Sequence, residues 1–185
     1  MTGDVTVNGV TNIKAVDLAG NDNTFTAVGG IRINTGASRI SDLAITGAAD
    51  TYALNTTNGA KLVLDGVRIT NNRGALLVGI YSEVTVKNSS ISGNNFTGAA
   101  EQHHATVAVA QNGKLTMLNS TIAGNTAMNM IYTATNGSVA LLNTTVASNI
   151  GTGVRVDAGA SFTAVNAIIA YNRISGAYSM VSLPF

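Results

Sequence analysis

The phrase NSTIAGN at 119–125 recurs along the chain as GVRITNN at 66–72, NSSISGN at 88–94, NTTVASN at 143–149 and NAIIAYN at 166–172. In every copy an isoleucine or valine is followed three residues later by an asparagine. These apolar positions lie 22, 31, 24 and 23 residues apart. A period near 23 residues predicts a solenoid, because each such repeat buries its apolar face against its neighbours.

Alternating apolar residues between the copies predict strands. The stretch before each copy alternates with a period of two, which is typical of strands, in LVL (62–64), VTV (84–86), LTM (115–117), VAL (139–141) and FTA (162–164). A third apolar stretch closes each unit, from ALLVGIY at 75–81 to GAYSMV at 176–181. Three short strands per repeat predict one coil of a parallel β-helix.

The predicted fold is therefore all-β: a single-stranded parallel β-helix of about seven coils, with three strands in each coil. The chain forms one domain, 1–185. We expect an irregular first coil at 1–28, regular coils at 29–183 and a loop insertion at 95–105, where the repeat step lengthens to 31 residues. Charged residues support this alignment, because opposite charges share slots in successive coils: Lys61, Glu83 and Lys114 in one slot, Asp65 and Lys87 in another.

Composition excludes several classes of function. A net charge of +1 provides no basic surface for nucleic acid, and the apolar runs are far shorter than the ~20 residues of a membrane helix. The absence of cysteine excludes disulfides and thiolate chemistry. We expect no cofactor, no metal, no nucleic acid partner and no membrane insertion. The start MTGDVTVNG lacks the basic and apolar regions of a signal peptide, so we expect a fragment or mature form.

Two columns of asparagines follow from the repeat. We predict that both form buried or half-buried structural ladders at the corners of the coils, where each amide donates to the next coil's amide and to turn carbonyls; a polar ladder that binds sugar is the alternative. The two columns are Asn72, Asn94, Asn125, Asn149 and Asn172, and Asn88, Asn119, Asn143 and Asn166, with Asp42 and Gly66 in the earlier slots of the second column.

The insertion supplies the candidate binding residues Phe96, Glu101, His103 and His104. Loops on a rigid scaffold commonly carry function, so we predict a contact site for a partner. A metal site is disfavoured, because adjacent histidines on an extended strand point to opposite sides and Glu101 is the one further ligand nearby.

Catalysis would require clustered carboxylates. A glycoside hydrolase needs a pair roughly 5–10 Å apart, and a calcium-dependent lyase needs several oxygen ligands together. The acidic residues are scattered, and Asp42 with Asp65 is the best candidate pair because they fall in successive coils one slot apart.

The phrases NSTIAGN at 119–125 and GVRVDAGAS at 153–161, with NGKLTMLN at 112–119, resemble bacterial surface proteins of the pectate-lyase-like right-handed β-helix superfamily. The resemblance is closest to autotransporter passenger domains and related adhesins, and it covers about residues 29–183. It implies a right-handed coil with three sheets and an adhesive role outside the cell or at its surface. It carries over no catalytic residue.

Three functions follow in order of preference. The first is an extracellular or cell-surface adhesive module without enzymatic activity, whose partner is a host surface protein or a glycan. The second is a subunit that assembles with other copies end to end, into a fibre or trimeric spike, because neither end of the sequence carries an evident cap for its strand edges. The third is a polysaccharide lyase or hydrolase.

Overall fold

The computed structural model of the protein describes residues 5–7, 11–14, 24–26, 29–49, 51–97, 104–174 and 177–182. Its regular elements in these ranges are all β-strands. The described ranges contain no helix that is long and apolar enough to span a bilayer.

The strands follow one another in seven coils. The first three coils contain β1 (Val5–Val7), β2 (Thr11–Lys14) and β3 (Thr24–Thr26); β4 (Ile31–Ile33), β5 (Ala37–Ser41) and β6 (Ala44–Thr46); and β7 (Tyr52–Thr56), β8 (Lys61–Asp65) and β9 (Arg68–Thr70). The fourth and fifth contain β10 (Gly74–Val78), β11 (Glu83–Lys87) and β12 (Ser90–Ser92); and β13 (Asn95–Phe96), β14 (Ala105–Val109), β15 (Lys114–Leu118) and β16 (Thr121–Ala123). The last two contain β17 (Thr126–Thr133), β18 (Ser138–Leu142) and β19 (Thr145–Ala147); and β20 (Ile150–Val156), β21 (Ser161–Val165) and β22 (Ile168–Ile174), after which comes β23 (Ala177–Ser182).

Equivalent strands of successive coils pair in parallel and form three columns. Column A contains β1, β4, β7, β10, β14, β17 and β20; column B contains β2, β5, β8, β11, β15, β18 and β21; column C contains β3, β6, β9, β12, β16, β19 and β22. The predicted parallel β-helix with about seven coils and three strands per coil is therefore confirmed.

The charge slots lie in the predicted register. Lys61 pairs with Glu83 and Glu83 with Lys114 across column B. The Lys61 Nζ lies 3.6 Å from Glu83 Oε2, and the Lys87 Nζ lies 3.3 Å from Asp65 Oδ2. The Lys61–Glu83 pair is exposed, so it reports register rather than stability, whereas Lys87 and Asp65 are half-buried.

The core is a narrow stack of aliphatic side chains between the columns. From β8 through β18 each strand of column B points two alternate residues inward, and these are almost fully buried: Leu62, Leu64, Val84, Val86, Leu115, Met117, Val139 and Leu141. The pleat places their neighbours on the outer face. The alternation read from the sequence is thus the division between core and surface.

A left-handed residue follows each strand of column B from β5 to β21. Asn88, Asn119, Asn143 and Asn166 have φ between 48° and 51°, and Gly66 and Asp42 occupy the same slot at 65° and 58°. Asparagine, aspartate and glycine tolerate this conformation better than other residues do. The repeat therefore places these residue types at the corner because the chain turns there.

The C-terminal strand corrects one prediction. The sequence places GAYSMV at 176–181 as the strand that closes a last coil, with no evident cap. β23 instead pairs antiparallel with β22, with Ile168 opposite Ser182 and Arg173 opposite Tyr178. The chain reverses, and β23 covers the edge of column C.

Candidate functional site

The first asparagine column is a buried ladder, as predicted. Its five side chains are at most 4% exposed. In the middle of the ladder, Asn94 donates from its backbone N and its Nδ2 to Asn125 Oδ1, at 3.0 and 2.9 Å. The Nδ2 atom of Asn125 donates to the carbonyls of Ile91 and Ala123 and to Asn149 Oδ1. These amides are fully used in holding successive corners together.

The second asparagine column is a ladder too, but the prediction that it is buried or half-buried is wrong. Its members are exposed, and each Nδ2 donates to the Oδ1 of the coil before. The distances are 3.5 Å for Asn119 to Asn88, 3.1 Å for Asn143 to Asn119 and 2.8 Å for Asn166 to Asn143. Asn88 begins the row by donating to Asp65 Oδ1 at 2.9 Å. The left-handed corner turns these side chains outward.

The insertion leaves column A between Phe96 and Ala105. Phe96 pairs with Ala127, and Ala105 pairs with Asn129, so the chain departs and returns at neighbouring positions of β17. Phe96 and His104 lie at the two sides of this departure, with ring centroids 4.7 Å apart. The other two predicted binding residues, Glu101 and His103, lie outside the described residues. The structure thus brings together two of the four.

An aromatic cluster forms around Phe96. The Tyr52 ring lies 5.2 Å from it, and the Arg73 guanidinium lies 4.9 Å from its centroid. Gly74 makes room for the two rings, because a Cβ at this position would lie 2.5 Å from Tyr52 and 2.8 Å from Phe96. Tilted aromatic pairs at such distances are favourable beyond the area that they bury.

This cluster forms one wall of a groove on the outer face of column A. The groove has a volume of about 400 Å³, and we call it the aromatic groove. Register aligns Leu77, Ala108 and Tyr132 along its floor, and the walls include Tyr52, Phe96, His104, Ile80 and Gln111. Its volume lies within the range of small-molecule sites, and such sites are mostly apolar with few polar groups.

Two tyrosines provide neutral hydroxyls at the groove. Burial raises the pKa of Tyr132 to about 12, with a further rise from the hydrogen bond and charge of Asp157. Burial also raises the pKa of Tyr52 to about 12, against smaller opposing effects of the Ala105 N–H and the Arg73 charge. The Tyr132 hydroxyl donates to Asp157 Oδ2 at 2.5 Å, and Arg155 Nε lies 3.7 Å from Asp157 Oδ1. Tyr132, Asp157 and Arg155 therefore form a polar cluster beside the apolar floor of the groove.

Sequence reasoning missed Tyr52, Tyr132 and Gly74. A signal for Tyr132 exists, because the outward slot of column A contains Asn55, Leu77, Ala108 and Tyr132 in succession. Leucine, alanine and tyrosine in consecutive outward slots indicate an apolar surface strip on a face that is otherwise expected to be polar.

A comparison with protein families matches residues 29–182 to the model of the right-handed β-helix region. The match covers well over half of the 185 residues. The chain belongs to the right-handed β-helix family. Neither the comparison with curated proteins nor that with solved structures gave a match.

The right-handed β-helix holds the candidate acid pair at one corner. The Asp42 backbone N donates to the Asp65 carbonyl at 3.0 Å, so the two residues are neighbours in adjacent coils. The Asp65 carboxylate contacts Arg39 at 2.5 Å and Lys87 at 3.3 Å. The hydrogen bond from Asn88, together with Lys87 and Arg39, lowers the pKa of Asp65. A general acid needs a raised pKa, so this environment suits an ionised structural carboxylate. The catalytic assignment stays a prediction.

The Asp65 environment gives a test in acid. Because the folded-state pKa lies below the unfolded value, its contribution to stability is present above about pH 4 and is lost as the pH falls through the folded pKa. We expect Asp65→Asn to be less stable than the wild type near pH 7 and the difference to shrink towards about pH 3. Thermal unfolding of the wild type and of Asp65→Asn across this pH range checks the prediction. A stability difference that grows in acid would contradict the assignment of Asp65 as an ionised structural carboxylate.

Metal binding has no support from clustering. Within the described ranges, no three histidine, aspartate or glutamate side chains are grouped as ligands for one ion.

Proposed function

We propose that this right-handed β-helix is an adhesive module that acts outside the cell or at its surface, without enzymatic activity, and that the aromatic groove is its contact site for a glycan. The observation that carries the proposal is that Phe96 and His104, at the two sides of the insertion, pack together and with Tyr52 to form a wall of the groove. The repeat provides the rigid support, and the departure from the repeat provides the specific surface.

The groove chemistry favours a carbohydrate over an apolar ligand. A sugar ring presents C–H groups on its faces and hydroxyls at its edge, so it needs aromatic or aliphatic surface beside donors and acceptors. Leu77 and Ala108 on the floor provide the aliphatic surface. The donors and acceptors are Gln111 at the wall and, beside Tyr132, Arg155 and Asp157. Tyr52 remains protonated near neutral pH and can donate its hydroxyl to a sugar, whereas the Tyr132 hydroxyl already donates to Asp157.

The distribution of carboxylates near the groove favours binding of a glycan over its cleavage. Glycoside hydrolysis ordinarily uses two carboxyl groups flanking the bond. Among the described residues that line the groove there is no carboxylate, and the neighbouring Asp157 already accepts from Tyr132. Cleavage of a polysaccharide is the rival function, and release of reducing ends or unsaturated uronates from a bound glycan would establish it.

The binding proposal predicts that groove variants lose affinity. On a glycan array, and then in titrations with the glycans that bind, we expect His104→Ala and Phe96→Ala each to weaken binding about tenfold, because each removes a ring from the wall of the groove. Tyr171→Ala is the matched control, since this ring is 62% exposed at a corner in the last coil, outside the groove. Equal loss in the control, or unchanged affinity in both folded groove variants, would contradict the site.

A further inference from the structure

Asparagine–glycine pairs occupy turns that join column A to column B. An asparagine followed by glycine is prone to lose its side-chain amide, because glycine has no side chain to shield its backbone nitrogen from attacking the amide carbon. Four such pairs occur in the sequence, of which Asn58-Gly59, Asn112-Gly113 and Asn136-Gly137 follow β7, β14 and β17, and Asn8-Gly9 lies outside the described residues. The three described pairs share one motif, so a difference in their reactivity comes from the fold.

In two of these turns the glycine N–H closes the turn. Gly113 N donates to the Ala110 carbonyl at 2.9 Å, and Gly137 N donates to the Ala134 carbonyl at 2.8 Å. Both glycines are buried. A Cβ on Gly113 would lie 3.0 Å from the carbonyl oxygen of Gly79 in the coil before. Attack by either nitrogen requires that its hydrogen bond break first in a confined space, so the fold protects both pairs.

In the turn after β7 the pair is shifted by one residue. Ala60 N closes this turn by donating to the Thr57 carbonyl at 3.0 Å, so Asn58 and Gly59 are its two central residues. Gly59 N makes no hydrogen bond within the described part of the chain. Both central residues are exposed, and a Cβ on Gly59 would have the Tyr81 carbonyl oxygen as its nearest neighbour, at 3.8 Å. The attacking nitrogen is therefore available here, with space around it.

We propose that Asn58 is a site of spontaneous deamidation, and that Asn112 and Asn136 are protected from it by their turns. Gly59 N forms a bond to Asn58 Cγ and gives up its proton, the bond from Cγ to Nδ2 breaks, and ammonia leaves. Water then opens the cyclic imide to aspartate, or to isoaspartate, in which the backbone runs through the former side chain. The reaction consumes water alone, and either product adds one negative charge.

Asn34 acts as a brake on this reaction. Asn58 Nδ2 donates to Asn34 Oδ1 at 2.7 Å, and Thr57 Oγ1 donates to the same oxygen at 2.9 Å. The first bond holds the amide that has to turn towards Gly59 N. The carboxylate of the product donates no hydrogen bond to Asn34. Deamidation therefore removes one of these two side-chain links between the second and third coils.

Peptide mapping compares the described sites in one sample. The folded protein is incubated at mildly alkaline pH and cleaved with trypsin, and the deamidated fraction at each asparagine is followed by mass spectrometry. Asn58, Asn112 and Asn136 fall in separate peptides, which end at Lys61, Lys114 and Arg155, and Asn8 falls in a fourth that ends at Lys14.

We expect Asn58 to react about tenfold or more faster than Asn112 and Asn136, because only their glycines have to break a hydrogen bond first. In denaturant we expect the three rates to become similar, since the protection comes from the fold. Equal rates in the folded protein, or a difference that persists in denaturant, would overturn the proposal.

Asn34→Ala tests the brake. We expect this variant to deamidate several-fold faster at Asn58, because the amide loses its acceptor, and at an unchanged rate at Asn136. The Asn136 rate is the internal control for folding, since a general loosening of the coils would raise it as well. An Asn58 rate that stays at the wild-type value, or equal increases at both sites, would reject the role assigned to Asn34.

Discussion

Replacing Asn125 with alanine is expected to lower the free energy of unfolding by about 3–5 kcal/mol, because buried polar groups left without partners cost about 1–3 kcal/mol each. The side chain is 1% exposed. Its Oδ1 accepts from the backbone N and the Nδ2 of Asn94, and its Nδ2 donates to the carbonyls of Ile91 and Ala123 and to Asn149 Oδ1. Alanine removes all five bonds at once, and water has no direct access to replace them.

The exposed ladder provides the control for Asn125. Asn119→Gly removes amide bonds of 3.5 and 3.1 Å at the surface, where water replaces them, and glycine accepts the φ of 48° at this position. We expect this variant to lose less than about 1 kcal/mol. Chemical denaturation followed by far-ultraviolet circular dichroism measures both values. Equal losses would mean that the buried ladder contributes no more than the exposed one.

The stack of coils was predictable because the period fixes the register. Once Ile69, Ile91 and Ile122 are aligned, Lys61 must lie opposite Glu83 and Glu83 opposite Lys114, as the structure has them. The same alignment places the asparagines in two columns. What the alignment lacks is the direction in which a corner residue points. Asn119 and Asn125 have the same side chain, yet one is exposed and the other buried.

The direction of β23 was not predictable from its pattern. Alternation in AYSMVS identifies a strand but not the partner or the sense of pairing, and the previous coils favoured a parallel one. The antiparallel pairing with β22 depends on the chain reversing between Ile174 and Ala177. The repeat carries no information about a reversal that occurs once.

The aromatic groove was half predictable. The break in the period pointed to Phe96 and His104, and the structure places both in the groove. Tyr52 and Tyr132 come from regular coils on either side, so nothing in the repeat distinguishes them. Their meeting depends on the shared outer face of column A and on the space that Gly74 leaves. A site assembled across stacked coils can therefore be recognised from the register of the strands, but not from any one stretch of sequence.

Gly151→Ala is the second substitution with a large expected effect, a loss of about 4 kcal/mol. Gly151 has a φ of 143°, a conformation that residues with a side chain rarely adopt and that costs about 1–3 kcal/mol. An added Cβ would lie 1.9 Å from the Ala127 carbonyl oxygen. That oxygen belongs to the backbone of β17 in the coil beneath, so it moves only with the stack. Overpacking of this kind costs about 1–3 kcal/mol more.

Gly124→Ala separates the two causes. Gly124 also has a positive φ, 66°, but a Cβ there meets nothing within 4 Å. We therefore expect Gly124→Ala to lose about 1–2 kcal/mol from backbone strain alone. The difference between the two variants in denaturant unfolding isolates the close approach of one coil to the next. If both lose the same amount, the backbone at Gly151 yields to the methyl group, and the spacing between β17 and β20 is softer than the contact implies.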